Sequence, residues 1–157
     1  MTYDEKVYEA IRLSSNGNND AWSYLSIISK VLRIIDDLVD EPEKVKVEDK
    51  YNLALLLMVE LPSNSFFHAH KSALLPLHLT SINAWIDSND WMEKDKTRKN
   101  YALVIRDQIT ELVMLVAFLT GGTDYMRNVS LKIRELFLKE EFFKKNVNFL
   151  FVLWYNR

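Results

Sequence analysis

A chain of 157 residues with only three glycines and three prolines has few places to turn tightly. Sheet proteins need Gly, Pro or Asn-Gly punctuation every few residues, whereas long helices need it only at their ends. The chain is therefore expected to be all-α, a single-domain helical bundle of five to seven helices over residues 1–157. Its length suits one domain, and 48% hydrophobic with 27% charged residues supplies a core. The absence of cysteine excludes a disulfide scaffold, thiolate zinc sites, iron–sulfur clusters and cysteine nucleophiles.

Breaks and periodicity place the helices. Tyr3–Leu13 is amphipathic and ends in the polar stretch Ser14-Ser15-Asn16-Gly17-Asn18-Asn19. Asp20 can cap a second helix to about Asp40, with Ala21, Tyr24, Leu25, Ile28, Val31, Leu32 and Ile35 at helical spacing and Pro42 as its stop. A third helix, from about Val47 to Glu60, is apolar on most sides, which predicts a central position, and Pro62 ends it. Ser63 or Asn64 opens a fourth to about Asp87, with a kink or split expected at Pro76. Ser88-Asn89-Asp90 predicts a break, followed by a long helix from about Glu93 to Thr120 that Gly121-Gly122 stops. Thr123 or Asp124 then opens the last helical region. The core is expected from the helices near 20–40, 47–60 and 93–120.

Charge is uneven. Residues 1–93 carry 8 basic and 15 acidic side chains, a net of −7, and residues 94–157 carry 12 and 7, a net of +5. Such asymmetry fits an acidic site facing a basic one, or head-to-tail association, and not a dedicated nucleic-acid binder. The start, Met1-Thr2-Tyr3-Asp4-Glu5-Lys6, lacks a basic n-region and an apolar h-region, and the longest apolar runs are far short of the ~20 residues of a bilayer span. A soluble cytoplasmic chain is the expectation.

The sharpest chemical feature is Ile34-Ile35-Asp36-Asp37-Leu38-Val39-Asp40-Glu41-Pro42, a D-D-x-x-D motif. Asp36 and Asp40 stack one turn apart with Asp37 beside them, on a face shared with Ser26, Ser29 and Arg33 and opposite the apolar stripe. Three carboxylates in one turn suit a hard cation such as Mg²⁺. Acids in the last turn also oppose the helix dipole, by roughly 0.3–1 kcal/mol each. That predicts compensation by a cation or by basic groups from another helix. The alternative is a solvated helix end in which Arg33 pairs with Asp36 and Asp37.

The segment Leu32-Arg33-Ile34-Ile35-Asp36-Asp37-Leu38-Val39-Asp40-Glu41 resembles the first aspartate-rich motif of class I isoprenoid (terpenoid) synthases. The resemblance implies an all-α fold and Mg²⁺ carrying a substrate diphosphate at Asp36, Asp37 and Asp40. It covers about ten residues and the helix ahead of them. That family is longer and uses a second metal motif. The nearest counterpart here is Asp107 and Glu111, and Leu115 stands where its last ligand would be. Asp107 and Glu111 interrupt an apolar helix and could face Asp36 and Asp40 across a bundle, as carboxylates do in di-metal bundles, or form an exposed stripe with Lys99 and Arg106.

Other features are weaker. His68, His70 and His78 lack the i, i+3 or i, i+4 spacing of zinc ligands on one helix and read as ordinary histidines. Gly121-Gly122 has no third glycine for a phosphate loop. Lys132, Arg134, Lys144 and Lys145 lie among aromatics, a pattern that can bind single-stranded nucleic acid, diluted here by Glu135, Glu140 and Glu141. The run containing Phe149, Phe151, Trp154 and Tyr155 is apolar enough to require docking on its own bundle or on another copy. The expected function is a non-catalytic protein-interaction or self-associating module, with a protein partner or homo-oligomer and no membrane. The alternative is a Mg²⁺-dependent site binding or hydrolysing a diphosphate or nucleotide, and nucleic-acid binding comes third.

Overall fold

The computed structural model describes residues 1–137, and within that range every regular element is helical, as the scarcity of turn residues requires. Helix α1 (Tyr3–Ser15) opens with a capping box: Thr2 Oγ1 accepts the Glu5 N–H at 3.2 Å and the Glu5 carboxylate accepts the Thr2 N–H at 2.6 Å. Asn16 and Gly17, with φ of 48° and 75°, end it. Helix α2 (Asn19–Asp40) is capped by Asn18, not Asp20, through a 2.9 Å bond from the Ala21 N–H. Helix α3 (Val47–Leu55) passes into a π-helical stretch, Leu56–Glu60, and a last turn α4 (Leu61–Ser63). The wider turn ends two residues before Pro62, which has no N–H to return to Met58.

Helix α5 (Ser65–Met92) is capped by Asn64, whose side chain accepts the Phe67 N–H at 2.8 Å and donates to the Asp20 carbonyl at 3.0 Å. One side chain thus ties the start of α5 to the start of α2. Helix α6 (Lys96–Arg106) is capped by Asp95, and helix α7 covers Ile109–Phe137 with a bend at Gly122, where φ is 77° and ψ −177°.

Several expectations are corrected. The fourth helix neither splits at Pro76 nor breaks at Ser88-Asn89-Asp90; Pro76 is exposed on a continuous α5. The expected helix over 93–120 is instead two helices, divided at Asp107-Gln108. The third helix is not central: α3 buries no residue, and Leu55, Met58 and Val59 are exposed while Leu56 and Leu61 point inward. The core forms instead between α2, α5 and the first half of α7, around Tyr24, Leu25, Leu74, Leu112 and Val116. A second cluster joins α1 to α7 through Ala10, Met114, Ala117, Val129 and Ile133. Among the described residues no helix is long and apolar enough to cross a membrane.

Candidate functional site

Asp36 lies eleven residues after Leu25, three turns on and only about 20° round the helix at 100° per residue. It therefore shares the inward face of α2 and is 7% exposed, whereas Asp37 and Asp40 face solvent. This overturns the reading that put Asp36 opposite the apolar stripe, although Asp40, one turn on, stays near enough for its charge to act on the Asp36 carboxyl. Arg33 does not pair with Asp36 or Asp37 either; its guanidinium reaches back to Asp4 at 2.9 Å.

Three other helices close around Asp36. Arg106, the last residue of α6, brings Nη2 to 3.9 Å from Asp36 Oδ1 and donates to Asn89 Oδ1 of α5 at 2.6 Å. Trp85, one turn before Asn89, is near enough to draw the Asp36 carboxyl down. Asp36 Oδ1 is buried and accepts no hydrogen bond. The Asp36 carboxyl is pushed up to about 6, first by burial and then by the charge of Asp40, against the pull of Arg106 and Trp85. Tyr3 of α1 feels the same charge: burial first, then Asp36, raises its phenol. The basic partner expected from another helix is thus Arg106, and the arrangement is a largely buried polar node joining α2, α5 and α6, with the half-exposed Tyr3 of α1 near it.

The second acidic pair sits elsewhere. Asp107 is the first residue past α6, and its carboxylate accepts the Thr110 hydroxyl at 2.8 Å, so it serves the turn that starts α7. Desolvation raises its carboxyl above the ordinary range, against the hydrogen bond from Thr110 and the charge of Arg134. Glu111 pairs with Arg134 at 2.6 Å, an exposed contact. Among the described residues no group of three or more His, Asp or Glu side chains is placed to hold a metal ion. Phe149, Phe151, Trp154 and Tyr155, with Lys144 and Lys145, lie outside the described residues.

Two features escaped the sequence. The first is a buried Tyr24–His78 pair, hydroxyl to Nε2 at 2.5 Å, with the Phe67 ring parallel to both. Burial lowers the His78 imidazole and raises the Tyr24 phenol. Neutral His78 then accepts at Nε2 from the tyrosine, an assignment that puts its proton on Nδ1. Partners 54 positions apart leave no local signature. Tyr24→Phe is expected to lower stability by about 1 kcal/mol at pH 7.5, because His78 loses its buried donor. A denaturant midpoint for the two proteins measures this, and an unchanged midpoint would show that water already serves Nε2.

The second is the outer face of α5. Leu75, Leu79, Ile82 and Ile86 are 51%, 70%, 48% and 48% exposed, while the buried face of the same helix carries the small residues Ser81, Ala84 and Ser88. The helix thus turns four bulky aliphatics away from its own bundle. Helical spacing in the sequence does not reveal this face, because Leu74 and Leu77 make the inner side apolar too. A shallow groove of about 280 Å³ between Asp20, Ser23, Glu60 and Ser63 is open and polar. Compared with known proteins, the chain matches no family model, no curated protein and no solved structure.

Proposed function

We propose that this protein is a non-catalytic helical interaction module whose binding surface is the outer face of α5. The observation that carries the reading is the exposed row Leu75, Leu79, Ile82 and Ile86. Contiguous exposed aliphatics of this kind mark partner surfaces. Fully burying one Leu or Ile yields about 1.5–3 kcal/mol, so four that are half exposed hold on the order of 4 kcal/mol for a partner to collect. Association also has an ordering cost, so a binding surface wider than these four side chains is required. Tyr51, Leu55 and Met58, exposed at i, i+4 and i+7 along α3 and its π-helical continuation, form a separate exposed apolar row.

The acidic turn gives the Mg²⁺ reading less support, because Asp36 is buried against Arg106 while Asp37 and Asp40 are exposed. The test of the interaction reading is a melt of Leu79→Glu at a concentration where the chain is monomeric. A residue that faces a partner is surface in the monomer, so the change is expected to stay within about 0.5 kcal/mol. A loss of several kcal/mol would show that the chain covers Leu79 itself, and the reading would fall.

A further inference from the structure

We infer that the partner of α5 is a second copy of this chain, packed antiparallel across the row Leu75, Leu79, Ile82 and Ile86. This rests on the reading of α5 as an interaction face. The row is flanked one turn before by Lys71 and one turn after by Asp90, both exposed. In order the line reads Lys71, Leu75, Leu79, Ile82, Ile86, Asp90, with steps of 4, 4, 3, 4 and 4 residues. That spacing is the same in both directions, about a centre between Leu79 and Ile82.

A two-fold through that centre lays Leu75 at the level of Ile86 of the other copy and Leu79 at the level of Ile82, which is what an isologous interface requires. It also brings Lys71 of each copy to the level of Asp90 of the other. A parallel pair would set lysine beside lysine and aspartate beside aspartate. Polarity beyond the row agrees: His68 and Lys71 mark the N-terminal end of α5, and Asp87, Asp90 and Glu93 the C-terminal end. The helix dipoles oppose in the antiparallel arrangement as well. Between the two ends the outer row is uncharged, so nothing on it repels an identical copy.

The chain has no cysteine, so introduced thiols are unique reporters. Sedimentation velocity of the full chain over a concentration series is expected to show a monomer–dimer equilibrium. Leu79→Glu with Ile82→Glu is expected to weaken it at least about 30-fold, the hot-spot scale. Ser72→Cys and Glu93→Cys, which this two-fold leaves about 6 Å apart along the helix, are expected on mixing to be joined by a bismaleimide long enough to span that offset, and neither to link to itself. Antiparallel pairing holds two copies of residue 72 about 25 Å apart along the helix.

Self-linking of Ser72→Cys would mean a parallel pair, and a dimer that survives the double glutamate variant would mean another interface; either overturns the inference. A chain that stays monomeric also overturns it, and the maleimide reaction rate of Leu79→Cys then decides the underlying reading. A free-thiol rate leaves α5 as an open face for a different protein, whereas strong protection means the chain covers it and both readings fall.

Discussion

Asp36→Asn is expected to raise stability at pH 7.5 by about 3 kcal/mol, the difference between a carboxyl at about 6 and its ordinary value of 3.8. The sign follows from proton counting. The folded chain holds the Asp36 proton more tightly than the unfolded chain, so folding is favoured by this group as pH falls from 6 towards 4. Above pH 6 the charged carboxylate carries the full cost of its burial beside Asp40, which Arg106 at 3.9 Å only partly offsets. Asparagine keeps the shape without the charge. For a chain of this length the gain corresponds to about 6–12 °C in melting temperature, and it should shrink to nothing near pH 4.

His78 works in the opposite sense. Its lowered imidazole makes the unfolded chain bind the extra proton, so its contribution is full above about 6.5 and is lost as pH falls. With Asp36 replaced, the acid limb that His78 causes should stand out in the melting profile. A variant that melts lower than wild type at pH 7.5 would show the Asp36–Arg106 pair to be net stabilising and this account wrong. The same melts with millimolar Mg²⁺ and pyrophosphate test the diphosphate reading, because a ligand that binds only the folded chain raises its midpoint by mass action. A rise in wild type that Asp36→Asn abolishes would restore that reading.

What the sequence made legible follows from what is local. Helix class, the polar break at 14–19, a cap at Ser63 or Asn64 and an interruption at Gly121-Gly122 depend on a few neighbouring residues and were readable from them, the expected stop proving to be a bend. The orientation of Asp36 was not. The motif groups three aspartates by spacing, but the inward face of α2 is set by what packs on it, and Asp36 lies on the line of Leu25. Asp107 misled for a related reason. A carboxylate amid an apolar stretch reads as a ligand, whereas here it ends one helix and receives the Thr110 hydroxyl at the start of the next. The Tyr24–His78 pair needs two helices already docked, and no local pattern announces it.

The bend in α7 is where one residue controls the largest share of the packing. Gly122→Ala is expected to destabilise the protein by about 2–3 kcal/mol, because φ of 77° with ψ of −177° is a conformation open essentially to glycine alone. A Cβ at Gly122 would meet nothing within 4 Å, so the cost is one of backbone conformation and not of crowding. Gly121 is the reverse: its added Cβ would come within 2.5 Å of the Tyr125 ring, whose hydroxyl donates to the Leu13 carbonyl at 2.6 Å. The bend returns Val129 and Ile133 to Ala10 of α1, and Thr120 donates its hydroxyl to the Ser14 carbonyl at 2.9 Å just before it. Asparagine separates the backbone cause from a general loss of stability. It relieves αL positions, where ψ is near +47°, but not an extended ψ at positive φ, so Gly122→Asn is expected to be no better than Gly122→Ala. A thermal melt of both variants measures this. If Gly122→Ala melts with wild type, the backbone at 122 is free to turn helical, and hydrogen exchange should then show residues 123–137 released from α1.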